Sequence, residues 1–215
     1  MAFGFTNIFD DILGLSNLDD DIGCGSRLHT SDESRISGGE TAYPGKYPWM
    51  AAILEESNKI QCGGSLISDR HVLTAAHCFF GITSKQIDKM EVRLGETNLK
   101  TKFDCFVIED CTDSRSCYDA GNCAEPHESR RIKTVSINPN YMHEQELDKR
   151  TNDLAVIELD RRVFRTETVI PVCLPSPSEI KNLRDPSPTN LFFVAGWGRV
   201  NNTEVADVLQ EAQVK

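Results

Sequence analysis

Cys62-Gly63-Gly64-Ser65-Leu66-Ile67 runs through Ser68-Asp69-Arg70 into His71-Val72-Leu73-Thr74-Ala75-Ala76-His77-Cys78, and the rest of the chain is read relative to this stretch. An apolar run, three polar residues and a second apolar run ending in small side chains predict two strands joined by a turn. Fifteen residues separate the two cysteines. A cystine between them would tie the strand ends together and hold the backbone that carries His77. Closing a loop of that size restrains the unfolded chain by roughly 3 kcal/mol in the chain-entropy account.

The pattern of short strands extends on both sides. Residues 49–54 are apolar, 55–59 form a polar turn, and 60–67 and 71–74 follow. Met90-Glu91-Val92-Arg93-Leu94 alternates with period two, as a half-buried strand does. Residues 132–137 and 154–159 complete a set of about six strands, which predicts a closed antiparallel barrel. Residues 95–131 show no periodicity and are long for a loop, yet they hold Cys105, Cys111, Cys117 and Cys123. Those four cysteines allow three pairings, among which the sequence does not choose.

Composition narrows the function. The 215 residues are 39% apolar and carry a net charge of -10, with no basic stripe, so a nucleic-acid partner is not expected. No run of eighteen apolar residues is present, so no membrane span is expected either. Eight cysteines, too widely spaced in the loop for a CxxC metal ribbon, predict an oxidising compartment and a secreted protein. The start supplies no signal peptide: Asp10 and Asp11 interrupt the apolar run, and the first basic residue is Arg27. The natural chain is therefore expected to begin upstream. Residues 1–35 read as an acidic leader with five aspartates between Asp10 and Asp21.

Four motifs then fall in one order. Arg35-Ile36-Ser37-Gly38-Gly39 precedes Thr74-Ala75-Ala76-His77-Cys78; Asn152-Asp153-Leu154-Ala155 follows, and Gly196-Trp197-Gly198 comes last. In that order they resemble the trypsin/chymotrypsin-like serine endopeptidases. The resemblance implies an all-β fold of two six-stranded antiparallel barrels with the active site between them. Residues 36–215 would be the peptidase domain, with the first barrel whole over about 47–160 and the second only begun over about 190–215. His77 would be the general base, and Asp153 would orient it. No serine motif follows Asp153, so the nucleophile would lie beyond Lys215, the chain would be truncated there, and residues 1–215 alone would be inactive. The competing reading is a non-catalytic homologue acting as a binding or cofactor module. A disulfide-rich adhesion or inhibitor module is a third, which leaves the order of the motifs without a reason.

The same resemblance implies a zymogen cut after Arg35 by an upstream protease, freeing the Ile36 ammonium. Ser37 stands where the family carries an aliphatic residue. Cys24-Gly25 and Pro171-Val172-Cys173-Leu174-Pro175 resemble the propeptide cysteine and its partner, which implies a Cys24–Cys173 bond that keeps the leader attached. With Cys62–Cys78, this leaves the four loop cysteines to pair among themselves. Residues 96–105 look like the calcium loop of the arthropod clip-type branch, with Glu96, Asn98, Thr101 and Asp104 as oxygen ligands. Catalysis itself needs no cofactor. A protein or peptide substrate, an activating protease and an inhibitor are the expected partners. Asn201-Asn202-Thr203 is a glycosylation sequon. His29, His71, His127 and His143 are assigned no role.

Overall fold

The structure is a computed structural model that describes residues 23–26, 40–105, 114–119, 123–144, 149–176, 179–180, 192–199 and 205–214. The leader before Gly23, the Arg35–Ile36 junction, Cys111, the side chain of Cys117, and Asn201 lie outside the described residues. In chain order the strands are β1 (Glu40–Thr41), β2 (Met50–Leu54), β3 (Ile60–Ser68), β4 (His71–Thr74), β5 (Glu91–Leu94) and β6 (Glu128–Ile137). They continue with β7 (Met142–Glu144), β8 (Lys149–Thr151), β9 (Ala155–Leu159), β10 (Phe192–Gly196) and β11 (Gln210–Val214). Six of them close into an antiparallel barrel in the order β2-β3-β4-β9-β6-β5. A three-stranded sheet, β1-β11-β10, stands beside it, and β7-β8 is a separate hairpin.

Side-chain pattern explains which strands face what. In β5 Val92 and Leu94 are buried while Glu91 and Arg93 are half-buried, so only one face enters the core. All of β2 is buried. Ala51 and Ile53 point into the barrel with Leu66, Val72, Ile132, Ile157 and Leu159. Met50 and Ala52 pack the other way, with Ala42, Tyr47, Trp197 and Leu209. Strand β2 is thus a wall shared by two cores, which is why its sequence is continuously apolar instead of alternating.

Two departures from the sequence reading have physical causes. Strand β6 begins at Glu128 and not at Ile132. Arg130 sits in its first half, 5% exposed, paired with Glu128 and donating to the Arg162 carbonyl. A charged side chain whose stem is covered and whose head is fully bonded gives no hydropathy signal. The β7-β8 hairpin is equally silent, because Met142-His143-Glu144 and Lys149-Arg150-Thr151 have no apolar alternation. Among the short helices, Ser84–Ile87 is opened by a capping box in which the Thr83 amide donates to Gln86 Oε1 at 3.0 Å.

Among the described residues three cystines staple the fold: Cys24–Cys173, Cys62–Cys78 and Cys105–Cys123. The last joins two of the four loop cysteines whose pairing the sequence leaves open.

The two glycines after Cys62 differ in kind. A Cβ on Gly64 would lie 2.7 Å from Val72 Cγ1 and 2.9 Å from the Leu73 carbonyl oxygen, whereas one on Gly63 meets nothing within 4 Å. Gly64→Ala is expected to destabilise by roughly 1–3 kcal/mol through overpacking. Gly63→Ala is expected to be close to neutral, and urea unfolding of the two variants checks the contrast.

Candidate active site

The site is set by one ladder. Strands β4 and β9 pair antiparallel with Thr74 opposite Ala155. Residues just after β4 and just before β9 therefore leave the barrel at the same end. On the β4 side a 3-10 turn, Ala76–Cys78, lifts His77 out of the barrel, with Ala76 and Cys78 buried beneath it. The Cys62–Cys78 bond fixes that turn to β3, and the Thr74 hydroxyl donates to the Gly63 carbonyl at 2.7 Å. On the β9 side, Asn152 takes a left-handed backbone, φ 52°, one of the few residue types that do so readily. Its side-chain amide donates to the Asn140 carbonyl at 2.9 Å. This turn brings Asp153 to face His77.

The contact has two points. The His77 amide donates to Asp153 Oδ1 at 2.8 Å, and His77 Nδ1 lies 2.7 Å from Asp153 Oδ2. An ionised carboxylate only accepts, so the ring proton must sit on Nδ1 and the lone pair on Nε2. Burial would push the Asp153 carboxyl up, but the amide and ring of His77, its charge and Arg150 together hold it below the ordinary value. The His77 side chain is 39% exposed, so its Nε2 edge is reachable, while Asp153 is more covered at 24%. A positioned base with its tautomer fixed from behind is what the arrangement supplies chemically.

Cys62, His77 and Cys78 are close enough together to suggest a metal site. Both sulfurs are spent in a disulfide, so no thiolate is on offer. Next to this cystine a cleft of about 470 Å³ opens between the barrel and the three-stranded sheet. It is lined by Met50, residues 60–65, residues 195–199 and Val205. Gly196 and Gly198 lie on its wall, and Trp197 between them is buried, its indole donating to the Thr97 carbonyl at 3.0 Å.

The oxygen-rich loop lies elsewhere. Asp104 organises it, accepting from the Thr97 amide at 2.6 Å, from the Asn98 amide and from the Thr101 hydroxyl at 2.8 Å. Asn98 Oδ1 accepts from the Lys100 amide. Glu96 is buried, and its Oε2 has no hydrogen-bond partner although His127 Nδ1 is 3.2 Å away and Arg93 3.7 Å. The structure thus brings Asn98, Thr101 and Asp104 into one hydrogen-bonded turn and leaves an orphan oxygen on Glu96.

A sequence profile described as Trypsin matches residues 36–215. The chain belongs to the trypsin family. This trypsin-family chain is similar to clip-type arthropod proteases. It is 37% identical over 187 residues to phenoloxidase-activating factor 3 of Holotrichia diomphalia, covering 85% of this chain and 48% of that protein. It is 33% identical to the serine protease grass of Drosophila melanogaster, over 91% of this chain and 47% of the relative. The crystal structure of the Drosophila Grass clip serine protease of the Toll pathway superposes with a TM-score of 0.68 at 28% identity. That match covers 97% of this chain and 51% of the other. The chain spans about half the length of the curated relatives it matches.

Two residues, one at the His77–Asp153 pair and one at the oxygen-rich loop, carry no functional signal in the sequence. Asn152 stands in the sequence only as part of a motif, yet its left-handed backbone aims Asp153. His127 was assigned nothing, yet it sits against Glu96; the only sequence signal was its place just ahead of the β6 run, whose register sets Glu128 opposite Leu94.

Burial, with the nearby Asp104 charge added, raises the Glu96 carboxyl from 4.5 to about 8, with Arg93 offsetting part of the rise. The folded state then holds a proton that the unfolded state has lost, so stability should fall as pH rises from 4.5 to about 8. Glu96→Gln should flatten that slope in urea unfolding measured with a chelator present.

Proposed function

We propose that the protein is a secreted serine endopeptidase made as a zymogen, with His77 as general base and then general acid. The observation that carries this reading is the two-point grip of Asp153 on His77, through the amide and through Nδ1. His77 Nε2 takes the proton of a serine hydroxyl as the oxygen attacks a peptide carbonyl. The imidazolium so formed is stabilised by the Asp153 carboxylate and passes its proton to the leaving amine nitrogen. The serine, the donors to the oxyanion and the pocket that selects the residue before the cut are assigned to none of the 215 residues. A binding homologue would have no use for the fixed tautomer, and this weighs against the non-catalytic alternative. Serine protease relatives and three described cystines support proteolysis in an oxidising compartment. Among the described residues no helix is long and apolar enough to cross a membrane.

In this reading cleavage after Arg35 frees Ile36, and Cys24–Cys173 keeps the two pieces together. Trypsin treatment should therefore release a new amino terminus at Ile36 while the leader separates only after reduction. A single cut that frees the leader without reductant would refute the tether.

Calcium belongs to the same proposal as a structural ion. The orphan Oε2 of buried Glu96 fits a cation, with Asn98, Thr101 and Asp104 as the neighbouring oxygen set. Bound there, the ion would neutralise the carboxylates that repel one another and rigidify the loop. Calcium at a hundred times its Kd should stabilise the chain by about 2.7 kcal/mol. The gain should vanish in Glu96→Gln; no change in melting temperature with millimolar calcium would remove the ion from the account.

The activity test is direct. Residues 1–215 alone should not turn over a peptide ester. In the product that carries the serine, His77→Ala should cost of order 10⁶ in kcat and Asp153→Asn about 10⁴. Turnover by 1–215 that His77→Ala abolishes would contradict this assignment of roles.

A further inference from the structure

Arg199 lacks the partner that the barrel's arginines have. Arg70, Arg93, Arg130 and Arg131 each bond a carboxylate or a carbonyl, and so do Arg161 and Arg165 after β9. Arg199 is exposed, and among the described residues no carboxylate or carbonyl engages its guanidinium. Its backbone is nonetheless fixed. Arg199 forms an antiparallel bridge with Val205, the Ala206 amide donates to the Gly198 carbonyl at 3.0 Å, and the buried Trp197 anchors the turn through its bond to Thr97. An unpaired cation held on a fixed turn stands out in a chain of net charge -10, where carboxylates outnumber cations.

That cation stands on the cleft beside the His77–Asp153 pair. Arg199 is the one charged side chain among the described residues that line the cleft, with Met50, Ile60, Gln61 and Ser65 on the barrel side. The barrel side is also incomplete as a sheet: β3 pairs with β2 from Ile60 onward but with β4 only from Ser65. The other edge of residues 60–64 therefore has no partner strand, and an extended peptide is the ligand that such an edge accepts. Cys62 lines the cleft, and the sulfur of its disulfide partner Cys78 lies 3.8 Å from His77 Nε2. A peptide whose amine nitrogen sits at Nε2 has the cleft directly beyond this cystine.

We propose that this cleft binds an acidic peptide, with Arg199 as the group that selects a glutamate or aspartate side chain. On the endopeptidase reading, on which this part of the inference rests, the peptide is the leaving segment, whose amine takes the proton from His77. The acidic residue then stands among the first residues after the cut. Charge fixes the choice. A carboxylate meets a planar fork of donors matched to its two oxygens, whereas a lysine meets an uncompensated guanidinium. Met50, Ile60 and Val205 supply apolar contact for the methylenes of the same side chain.

Titration of the full ¹⁵N-labelled chain, followed by amide NMR, tests the assignment. The probe is a short peptide with a free amino terminus and glutamate at its first two positions, set against the same peptide with glutamine or lysine there. The glutamate peptide should shift the amides of Gly63, Gly64 and Gly198 and bind roughly fivefold tighter than the glutamine peptide, the upper end of what an exposed ion pair gives. The lysine peptide should bind more weakly than either. The preference should fade in 1 M salt, where the screening length is about 3 Å. Arg199→Lys should keep the order, Arg199→Gln should remove it, and Arg199→Glu should invert it, which a merely misfolded chain would not do. Equal affinity for the three peptides, an order that survives Arg199→Gln, shifts away from the cleft, or no shift at millimolar glutamate peptide would each overturn the proposal. In the product that carries the serine, substrates that differ only in the two residues after the cut separate this inference from the reading beneath it. Hydrolysis without a preference for glutamate over lysine overturns the placement of the leaving segment and leaves the endopeptidase standing. Selective binding through Arg199 without hydrolysis removes the endopeptidase and leaves an acidic-peptide site.

Discussion

The antiparallel pairing of β4 with β9 is the contact on which the site depends. Residues near 75 and near 153 are far apart in the chain, and no local preference could bring an imidazole and a carboxylate to hydrogen-bonding distance. The ladder does so because antiparallel strands place the exit of one beside the entry of the other. With Thr74 opposite Ala155, His77 and Asp153 need only a short turn each to meet. Each turn is then locked by a different device: a cystine and a threonine hydroxyl on one side, a left-handed asparagine on the other. The precision of the pair is thus inherited from the barrel and is not a property of the two residues alone.

A second joint ties the barrel to the smaller sheet. The Thr97 carbonyl accepts from the Trp197 indole at 3.0 Å and from the Leu209 amide at 2.8 Å, which uses both of its lone pairs. The Leu99 amide donates to the Asp207 carbonyl close by. Asp104 holds the amide side of the same loop, so one carboxylate and one carbonyl share the task of setting where Gly196 and Gly198 sit. The oxygen-rich loop and the rim of the cleft thus meet at Thr97, whose amide is held by Asp104 and whose carbonyl holds Trp197 and Leu209.

Much of this was legible in the residues, for reasons that differ by element. Strands whose burial is one-sided or complete, such as β5 and β2, announce themselves by alternation or by an unbroken apolar run. His77 and Asp153 were legible through the order of their motifs, which carried the family resemblance. Strand β6 was missed over its first four residues because Arg130 is covered by pairing, which hydropathy does not register. The β7-β8 hairpin gives no signal because it buries no face. His127 was invisible as a neighbour of Glu96, since only the β5-β6 register, Leu94 opposite Glu128, puts them together. Even the role of the His77 amide could not be read, because every residue has one.

Strand β2 has no side turned to water, and this limits what the chain can tolerate there. Ala51 and Ala52 are wholly buried in opposite cores, so an added methylene on either must displace neighbours. The barrel and the three-stranded sheet also cannot melt one at a time, because the second would lose its floor with the first. Heat should meet the two as a single cooperative unit, and drift in the sequence of β2 is confined to exchanges that conserve volume on both faces at once.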